Sequence, residues 1–398
     1  MISDILYLVI FIFIGAIFPN LFLTNKDYFH KKYLRILLAC HFLIGIAFFF
    51  YTRNGGGDAW GYWVHSQNMT SVNFWSYLFE SKGTFFIYSI NYIPANILGM
   101  SFFANTMFYS LLGYIGIVFF YLTAIKVIPY NSKYKGYRLF PLLFFLPNLH
   151  FWSSGVGKDT LLFLCIGMFT YAMLNIIKRI PLLILSLLLS YLIRPHITLF
   201  LFIGFALAFL FDSKVSGFRR LILTIILIGA SLAILPAVME FAKIEEATVD
   251  SFDQFSENKA EALSRSHTGS SVDISSYPFP LKVFTFLYRP FFFDINSIPA
   301  VIASFENLIL LLLTFKIFKS KPRKTFNAAP FVIKGLLFFL IIGTLAFSQS
   351  LGNVGIMIRM RNMFLPGFLI YILWGMSYRK EILLKLKTMS SQKSKVLN

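Results

Sequence analysis

The sequence predicts an all-α, polytopic transmembrane helical bundle that forms a single domain over residues 1–398. The chain is 57% hydrophobic and only 13% charged, and a bilayer can cover that much apolar surface where a soluble domain could not bury it. Apolar runs of membrane-spanning length alternate with short polar segments. The basic residues, which give a formal net charge of +19, are concentrated in those polar segments.

The polar segments divide the chain into about eleven predicted spans. The first apolar run has no basic segment before it and no small-residue cleavage site after it, which indicates a retained span rather than a signal peptide. Cys40 and Cys165 lie inside apolar runs, which favours buried thiols over a disulfide or a metal site. The predicted spans lie near residues 5–23, 34–51, 103–125, 139–152, 160–177, 180–193, 197–211, 221–240, 297–315, 330–347 and 363–377.

The distribution of Lys and Arg predicts the orientation of the bundle. When the spans alternate, six segments on one side hold 25 of the 36 Lys and Arg residues. Because these residues are retained in the cytoplasm during insertion, the N-terminus is predicted outside and the C-terminus inside. The same clustering between spans argues against nucleic acid as a partner. The basic segments are 24–35, 126–138, 178–179, 212–220, 316–334 and the cytoplasmic tail 378–398.

Two long segments fall on the predicted outer side. Residues 52–102 begin with "YTRNGGGDAWGYW" and continue into the semi-apolar "FFIYSINYIPANILGM", which predicts an interfacial or re-entrant helix. Residues 241–296 have a helix-forming first part with charges at i, i+4 spacing and a Ser/Gly-rich second part that predicts a loop.

Charged residues follow two short predicted spans on the outer side. Lys158 and Asp159, in "SSGVGKD", follow the fourth span, and Arg194 and His196, in "RPH", follow the sixth. Short spans that end in Gly or Pro often border polar cavities at membrane depth. We therefore expect Lys158 and Asp159 to shape the floor of such a cavity without deep burial, with Asp159 also suited to cap the next helix.

The arginines of the outer turns suggest an anionic ligand. Arg194, Arg289, Arg359 and Arg361 lie beside Pro, Gly or aromatic residues. Arginine grips phosphate bidentately, so such a cluster suits an anionic lipid headgroup, although each arginine alone more often extends to bulk headgroups. Glu306, inside the ninth span, requires either a partner on another helix or a water-filled cavity.

Four segments in this order resemble bacterial Wzy-type O-antigen and exopolysaccharide repeat-unit polymerases. These enzymes belong to the polytopic lipid-linked-sugar glycosyltransferases of the GT-C type, and the resemblance extends over most of the chain from about residue 50. The four segments are "PNLHFWSSGVGKDTLLF", "YLIRPHITLF", "FPLKVFTFLYRPFFFDINSIPAVIASFENLILLL" and "GIMIRMRNMFLPGFLIYI".

The resemblance implies an activity and a location. A growing glycan on undecaprenyl diphosphate would be passed to the sugar of a second lipid-linked unit, at the outer face of the bacterial inner (plasma) membrane. The transfer would need neither a metal nor another cofactor. Its expected partners are the lipid-linked oligosaccharide substrate, membrane lipids, and flippase and chain-length regulator proteins.

The resemblance also implies roles for individual residues. Asp58 or His196 would be the base that activates the acceptor hydroxyl, and Lys158 and Tyr62 would make further substrate contacts. Asp58 departs from the GT-C pattern, because it follows the second span and stands alone, and the segment 241–296 is modest for a polymerase. The implied diphosphate contacts are Arg194, Arg289, Arg359 and Arg361.

Three alternative functions stay open from the sequence. A flippase for lipid-linked glycans is expected to carry charges through the whole membrane depth and often an internal repeat, whereas here the charges gather at one face and no repeat is visible. A GT-C enzyme that transfers a single sugar from a polyprenyl phosphate donor would share the same features. A membrane O-acyltransferase requires a His buried in a span, and the nearest candidate, His150, is predicted to be interfacial.

Overall fold

The computed structural model describes residues 2–396, apart from 56–57, 131–132, 135–136, 213–215, 245, 247, 265–268 and 319–321. The described residues are helical apart from turns and one antiparallel pair of two-residue strands, β1 (Lys133–Tyr134) and β2 (Tyr137–Arg138). The prediction of an all-α protein is therefore confirmed. Part of the predicted loop within 241–296 lies outside the described residues.

The first half of the chain supplies helices of very different lengths. Short helices lie next to the two Gly-rich polar segments, "RNGGGDAW" and "SSGVGKD". In order, the helices are α1 (Ile2–Ile17), α2 (Tyr28–Arg53), α3 (Ala59–Gln67), α4 (Ser71–Glu80), α5 (Thr84–Tyr92), α6 (Phe102–Val127), α7 (Leu139–Leu142), α8 (Pro147–Phe151), α9 (Lys158–Ala172), α10 (Ile180–Ile193) and α11 (Pro195–Leu210).

In the second half, the described residues add eight α-helices. The predicted helix in the first part of 241–296 is present, and the predicted tail 378–398 continues the last helix to Val396. In order, they are α12 (Gly217–Ala242), α13 (Val249–Ser264), α14 (Phe279–Tyr288), α15 (Ile298–Phe318), α16 (Pro322–Ala328), α17 (Phe331–Ser350), α18 (Val354–Arg361) and α19 (Leu365–Val396).

Six described helical segments are long and apolar enough to cross a membrane, and a seventh is obtained if α18 and α19, bent by 61°, form one broken span. This supports a multi-pass helical membrane protein. The other predicted spans correspond to shorter helices. The six segments are Ile2–Leu21, Asn25–Arg53, Phe102–Val127, Gly217–Ala242, Ile298–Phe318 and Phe331–Ser350.

Among the predicted spans, the one near residues 139–152 differs most from the structure. These residues form two short helices, α7 and α8, joined by a single turn of 3₁₀ helix at Leu143–Phe145. Pro147 begins α8, and a proline inside a continuous helix would lose a backbone hydrogen bond and clash with the preceding turn. The chain therefore reaches the "SSGVGKD" turn through a broken segment.

The centre of the bundle is α6, most of which is buried. It crosses α9 closely where Gly116 faces Gly167, since a Cβ on Gly167 would lie 2.8 Å from the Gly116 carbonyl oxygen. Small residues at such crossings let two backbones approach, which is a common way for helices to pack in membranes. This packing holds α9, whose first turn contains the candidate site, against the centre of the bundle.

A buried ion pair lies between segments that the charge count assigns to the cytoplasmic side. Lys334 Nζ lies 3.6 Å from Asp212 Oδ1 and donates to the carbonyl oxygen of Phe211 at 3.1 Å. Both side chains are almost completely buried, and pairing offsets the cost of removing them from water.

Candidate functional site

The turn before α9 places Asp159 at the floor of a pocket. Gly157 has φ +145°, a conformation that a residue with a side chain rarely adopts, and a Cβ there would lie 3.2 Å from the ring of Tyr62. Thr160 Oγ1 donates to the Gly155 carbonyl oxygen at 2.6 Å and tightens the turn. Asp159 therefore lies in the first turn of α9, as predicted.

Asp159 joins two arginines from distant parts of the chain. Its Oδ1 lies 3.1 Å from NH1 of Arg194, at the turn between α10 and α11, and its Oδ2 accepts a hydrogen bond from Nε of Arg359 on α18. Arg359 NH1 in turn donates to Oδ2 of Asp58 at 3.3 Å. We call Asp58, Asp159, Arg194 and Arg359 the arginine–aspartate cluster.

Exposure differs sharply between the two carboxylates of the cluster. The Asp159 side chain is 9% exposed, whereas that of Asp58 is 62% exposed. The expectation that Asp159 avoids deep burial was wrong, because the turn folds under α3 and α18. Burial raises the pKa of Asp159, but Arg359 and Arg194 outweigh it and lower the pKa, so this carboxylate stays charged. Asp58 is the carboxylate that a ligand can reach.

Lys158 and Tyr62 lie beside the cluster. Lys158 Nζ donates to Oγ1 of Thr84 at 2.7 Å, and burial together with the charge of Arg194 lowers the pKa of Lys158 to about 8. Burial and the neighbouring Asp58 raise the pKa of Tyr62 to about 12, so its hydroxyl remains a hydrogen-bond donor. Both predicted substrate contacts therefore lie close to Asp58 and Asp159.

Positive charge exceeds negative charge at this site. Among the described residues, Lys158, Arg194 and Arg359 face two carboxylates, Asp58 and Asp159. NH1 of Arg194, besides its contact with Asp159, lies 3.0 Å from Sδ of Met360. The site therefore carries an uncompensated positive charge, which suits an anion with several oxygens.

A pocket lies beside the cluster, and its volume is about 340 Å³ when the space at its open mouth is included. The indole N–H of Trp152, one of its lining residues, is buried and has no hydrogen-bond partner among the described residues. It is therefore available to an acceptor oxygen. The lining residues are Phe48, Thr52, Asp58, Ala59, Trp152, Gly155, Val156, Gly157, Asp159, Thr160 and Arg359.

His196 lies behind the pocket, within a group of aromatic rings. Its ring centroid is 5.9 Å from those of Phe200 and Phe241 and 6.0 Å from that of Phe347. The pocket lining includes Asp58 and does not include His196. Of the two predicted bases, Asp58 has the more accessible position.

Arg289 and Arg361 lie outside the cluster and have other partners. Arg289 donates from Nε and NH2 to the carboxylate of Asp294, at 3.0 and 2.5 Å. Arg361 is buried and donates from NH1 to the carbonyl oxygens of Phe286, Leu287 and Arg289 at the end of α14. Their contact with a diphosphate stays a prediction, and the observed contacts indicate that they hold α14 and the following turn in place.

Glu306 has the inter-helical partner that its position required. Its carboxylate accepts hydrogen bonds from the backbone N–H and the side-chain Nδ2 of Asn148, at 2.9 and 2.5 Å. The next residue, Asn307, accepts a hydrogen bond from NH2 of Arg361 at 2.6 Å. This polar network ties α8, α15 and α18 together inside the bundle.

The prediction that His150 is interfacial concerns membrane depth and stays a prediction. His150 is completely buried, and its Nδ1 lies 3.0 Å from Nδ1 of the equally buried His41. Because Nε2 of His150 donates to the Phe144 carbonyl oxygen at 2.8 Å, the Nδ1 of a neutral His150 must accept from His41. Neither histidine lines the pocket, and the pair joins α2 to α8.

Comparison with known proteins assigns no family: no protein-family model, no curated protein and no solved structure matches this chain. Within the described ranges, no group of three or more His, Cys, Asp or Glu side chains is arranged to hold a metal ion. The contacts within the arginine–aspartate cluster are thus the strongest available guide to function.

The affinity of the site for inorganic pyrophosphate is expected to fall as the pH rises through about 8. Lys158, whose pKa is lowered to about 8, loses its charge in that range, and the excess of positive charge then disappears. Calorimetric titration at several pH values measures the effect. The Lys158→Arg variant keeps its charge and should show a flatter profile, so identical profiles for the two proteins would contradict this assignment.

Proposed function

We propose that this chain is a membrane glycosyltransferase that polymerises oligosaccharide units carried on undecaprenyl diphosphate, at the outer face of the bacterial inner membrane. The observation that carries the proposal is the arginine–aspartate cluster with Lys158 beside it, which holds more cations than carboxylates and borders a pocket lined by Arg359 and the exposed Asp58. Neutralising a diphosphate leaving group and accepting one proton are the two tasks of such a transfer.

The proposal includes the predicted eleven spans with the N-terminus outside. The contacts of the arginine–aspartate cluster support the alternation of the spans, because Asp58, Asp159, Arg194 and Arg359 come from four turns that alternation assigns to one common side. The Lys and Arg bias is the argument that this side faces outward. The ion pair of Lys334 with Asp212 joins two segments assigned to the opposite side.

In the proposed reaction, the diphosphate of the donor contacts Lys158, Arg194 and Arg359. Its oxygens take the place of the Asp58 carboxylate on NH1 of Arg359, which frees Asp58 to act as a base. Because Asp159 holds both arginines from behind, the guanidinium groups are already oriented when the substrate arrives.

The transfer itself exchanges one bond for another. The acceptor hydroxyl oxygen attacks the anomeric carbon of the donor glycan and forms the new glycosidic bond, and its proton passes to the carboxylate of Asp58. The bond between the anomeric carbon and the diphosphate oxygen breaks, and its electron pair leaves with undecaprenyl diphosphate. The three cations stabilise the charge that develops on this leaving group.

The Arg359→Ala substitution in the source bacterium tests the proposal. A polymerase predicts that single repeat units still reach the surface while long chains are lost, as seen on a gel of surface glycan. A flippase predicts that surface glycan is lost altogether. Arg53→Ala, which removes an exposed cation directly after the pocket-lining Thr52, is the matched control and should leave long chains unchanged. Unchanged long chains in Arg359→Ala would contradict the proposal.

A further inference from the structure

One face of helix α13 is polar, and its Gln254, Asn258 and Lys259 are exposed. Ser251, Gln254, Phe255, Asn258 and Lys259 follow the i, i+3, i+4, i+7, i+8 spacing of one helix face, and Phe255 is the only apolar residue among them. This face borders a trough between α13 and the end of α12, with about 1030 Å³ of space counted to its open mouth. We call it the α13 trough.

The C-terminal end of α13 is held in place by neighbouring segments. The carbonyl oxygen of Ala260 packs against Gly352, where a side chain would clash with it. The loop that follows α13 is joined to the same turn, because Val272 N–H donates to the Gly352 carbonyl oxygen and Val354 N–H to that of Ser270, both at 2.9 Å. One wall of the trough is therefore held in place by its attachment to the turn that begins α18.

The trough lies near Arg194 of the arginine–aspartate cluster. Phe241, directly before the trough-lining end of α12, contacts the ring of His196 at 5.9 Å, and His196 is two residues from Arg194. Lys259 of the trough is close enough to Arg194 that, together with burial, this charge lowers the pKa of Lys259. The trough therefore lies next to the part of the chain that holds Arg194, and a lipid-linked glycan is long enough to contact both.

The chemistry of the trough suits a hydroxylated ligand better than a second phosphate. The amides of Gln254 and Asn258 each offer both donors and acceptors, as sugar hydroxyl groups require, and Ser251 adds a hydroxyl. The charged lining residues are two lysines, Lys243 and Lys259, and the lining includes no arginine. The ammonium of Lys259 lies over the ring of Phe255, 5.2 Å from its centroid.

We propose that the α13 trough binds the sugar units that adjoin the diphosphate of the lipid-linked substrate, with Gln254 and Asn258 as the residues that recognise their hydroxyl groups. This inference rests on the proposed function and adds a glycan-binding subsite to it. Since α13 belongs to the long predicted outer segment, the subsite would select the repeat unit while the cluster handles the diphosphate.

The test uses two probes with the full-length protein in lipid nanodiscs: inorganic pyrophosphate for the cluster, and the repeat-unit oligosaccharide released from the source bacterium's own surface glycan for the trough. The double variant Gln254→Ala/Asn258→Ala is expected to weaken oligosaccharide binding about tenfold, the loss expected for two hydrogen bonds of modest strength. Its pyrophosphate affinity should stay within about twofold of the wild type.

The matched control is Asp253→Asn/Glu257→Asn, which changes two exposed residues of α13 that do not line the trough. It should bind both probes as the wild type does. Equal oligosaccharide binding by the wild type and Gln254→Ala/Asn258→Ala, or equal loss in the control, would overturn the subsite. A wild-type protein that binds pyrophosphate but not the oligosaccharide would also overturn the subsite and leave the proposed function standing. Failure to bind pyrophosphate would count against the proposed function instead.

Discussion

The Asp58→Asn variant is expected to fold normally and to lose chain elongation by a factor of about 10²–10⁴, the usual contribution of a positioned general base. Asparagine can still accept a hydrogen bond from NH1 of Arg359, but it cannot take the proton of the acceptor hydroxyl. Because the Asp58 side chain is 62% exposed, its ion pair with Arg359 contributes little to stability. The elongation rate and the thermal unfolding midpoint of the purified protein measure the two effects.

The same experiment separates the two predicted bases. His196→Gln is expected to reduce elongation much less than Asp58→Asn, because the pocket lining includes Asp58 but not His196. Asp253→Asn, an equivalent change on the exposed face of α13, serves as the control for the loss of one carboxylate. Elongation by Asp58→Asn at more than about one tenth of the wild-type rate would rule out the role of Asp58 as the base.

The Asp159→Asn variant is expected to unfold more easily, by about 3–5 kcal/mol at most, as is typical when one partner of a buried ion pair is removed. The guanidinium groups of Arg194 and Arg359 would then face each other without their shared carboxylate. The partial exposure of Arg359, 20% of its side chain, reduces the loss because water can reach it. Chemical or thermal unfolding in detergent gives the change in the free energy of unfolding.

A double-mutant cycle shows whether the loss comes from the unpaired arginine. Arg194→Met removes one of the two cations, so Asp159→Asn/Arg194→Met should lose less stability than the sum of the two single variants. Asp58→Asn, which removes the exposed carboxylate from the same Arg359, should leave stability nearly unchanged. Strictly additive losses would contradict the view that Asp159 holds the arginines.

The sequence was sufficient to predict that the polar turns lie on the same side of the bundle. The Lys and Arg bias assigned the turns of Asp58, Asp159, Arg194 and Arg359 to one side, and these residues are in contact. It could not predict which arginines meet, because that depends on how the helices pack. Arg289 and Arg361 have the same kind of sequence neighbours as Arg194, yet they contact Asp294 and the end of α14.

The role of Asp159 as the buried partner of two arginines was also not predicted, and the reason is local. A carboxylate in the first turn of a helix has a sufficient explanation in the helix dipole, so the sequence around Asp159 gave no reason to expect a buried ion pair. The signal was present in the Gly-rich turn before it, where Gly157 allows the chain to pass under Tyr62. Lys259 was missed because α13 has the composition of a solvent-exposed helix.

The most direct test of the proposed function is chain growth by the purified protein in liposomes supplied only with its lipid-linked repeat unit. We predict products of several joined units on undecaprenyl diphosphate, formed by the wild type and lost in both Arg359→Ala and Asp58→Asn. If the wild type forms no joined units but moves the lipid-linked unit across the bilayer, the chain is a flippase and the proposed function is wrong.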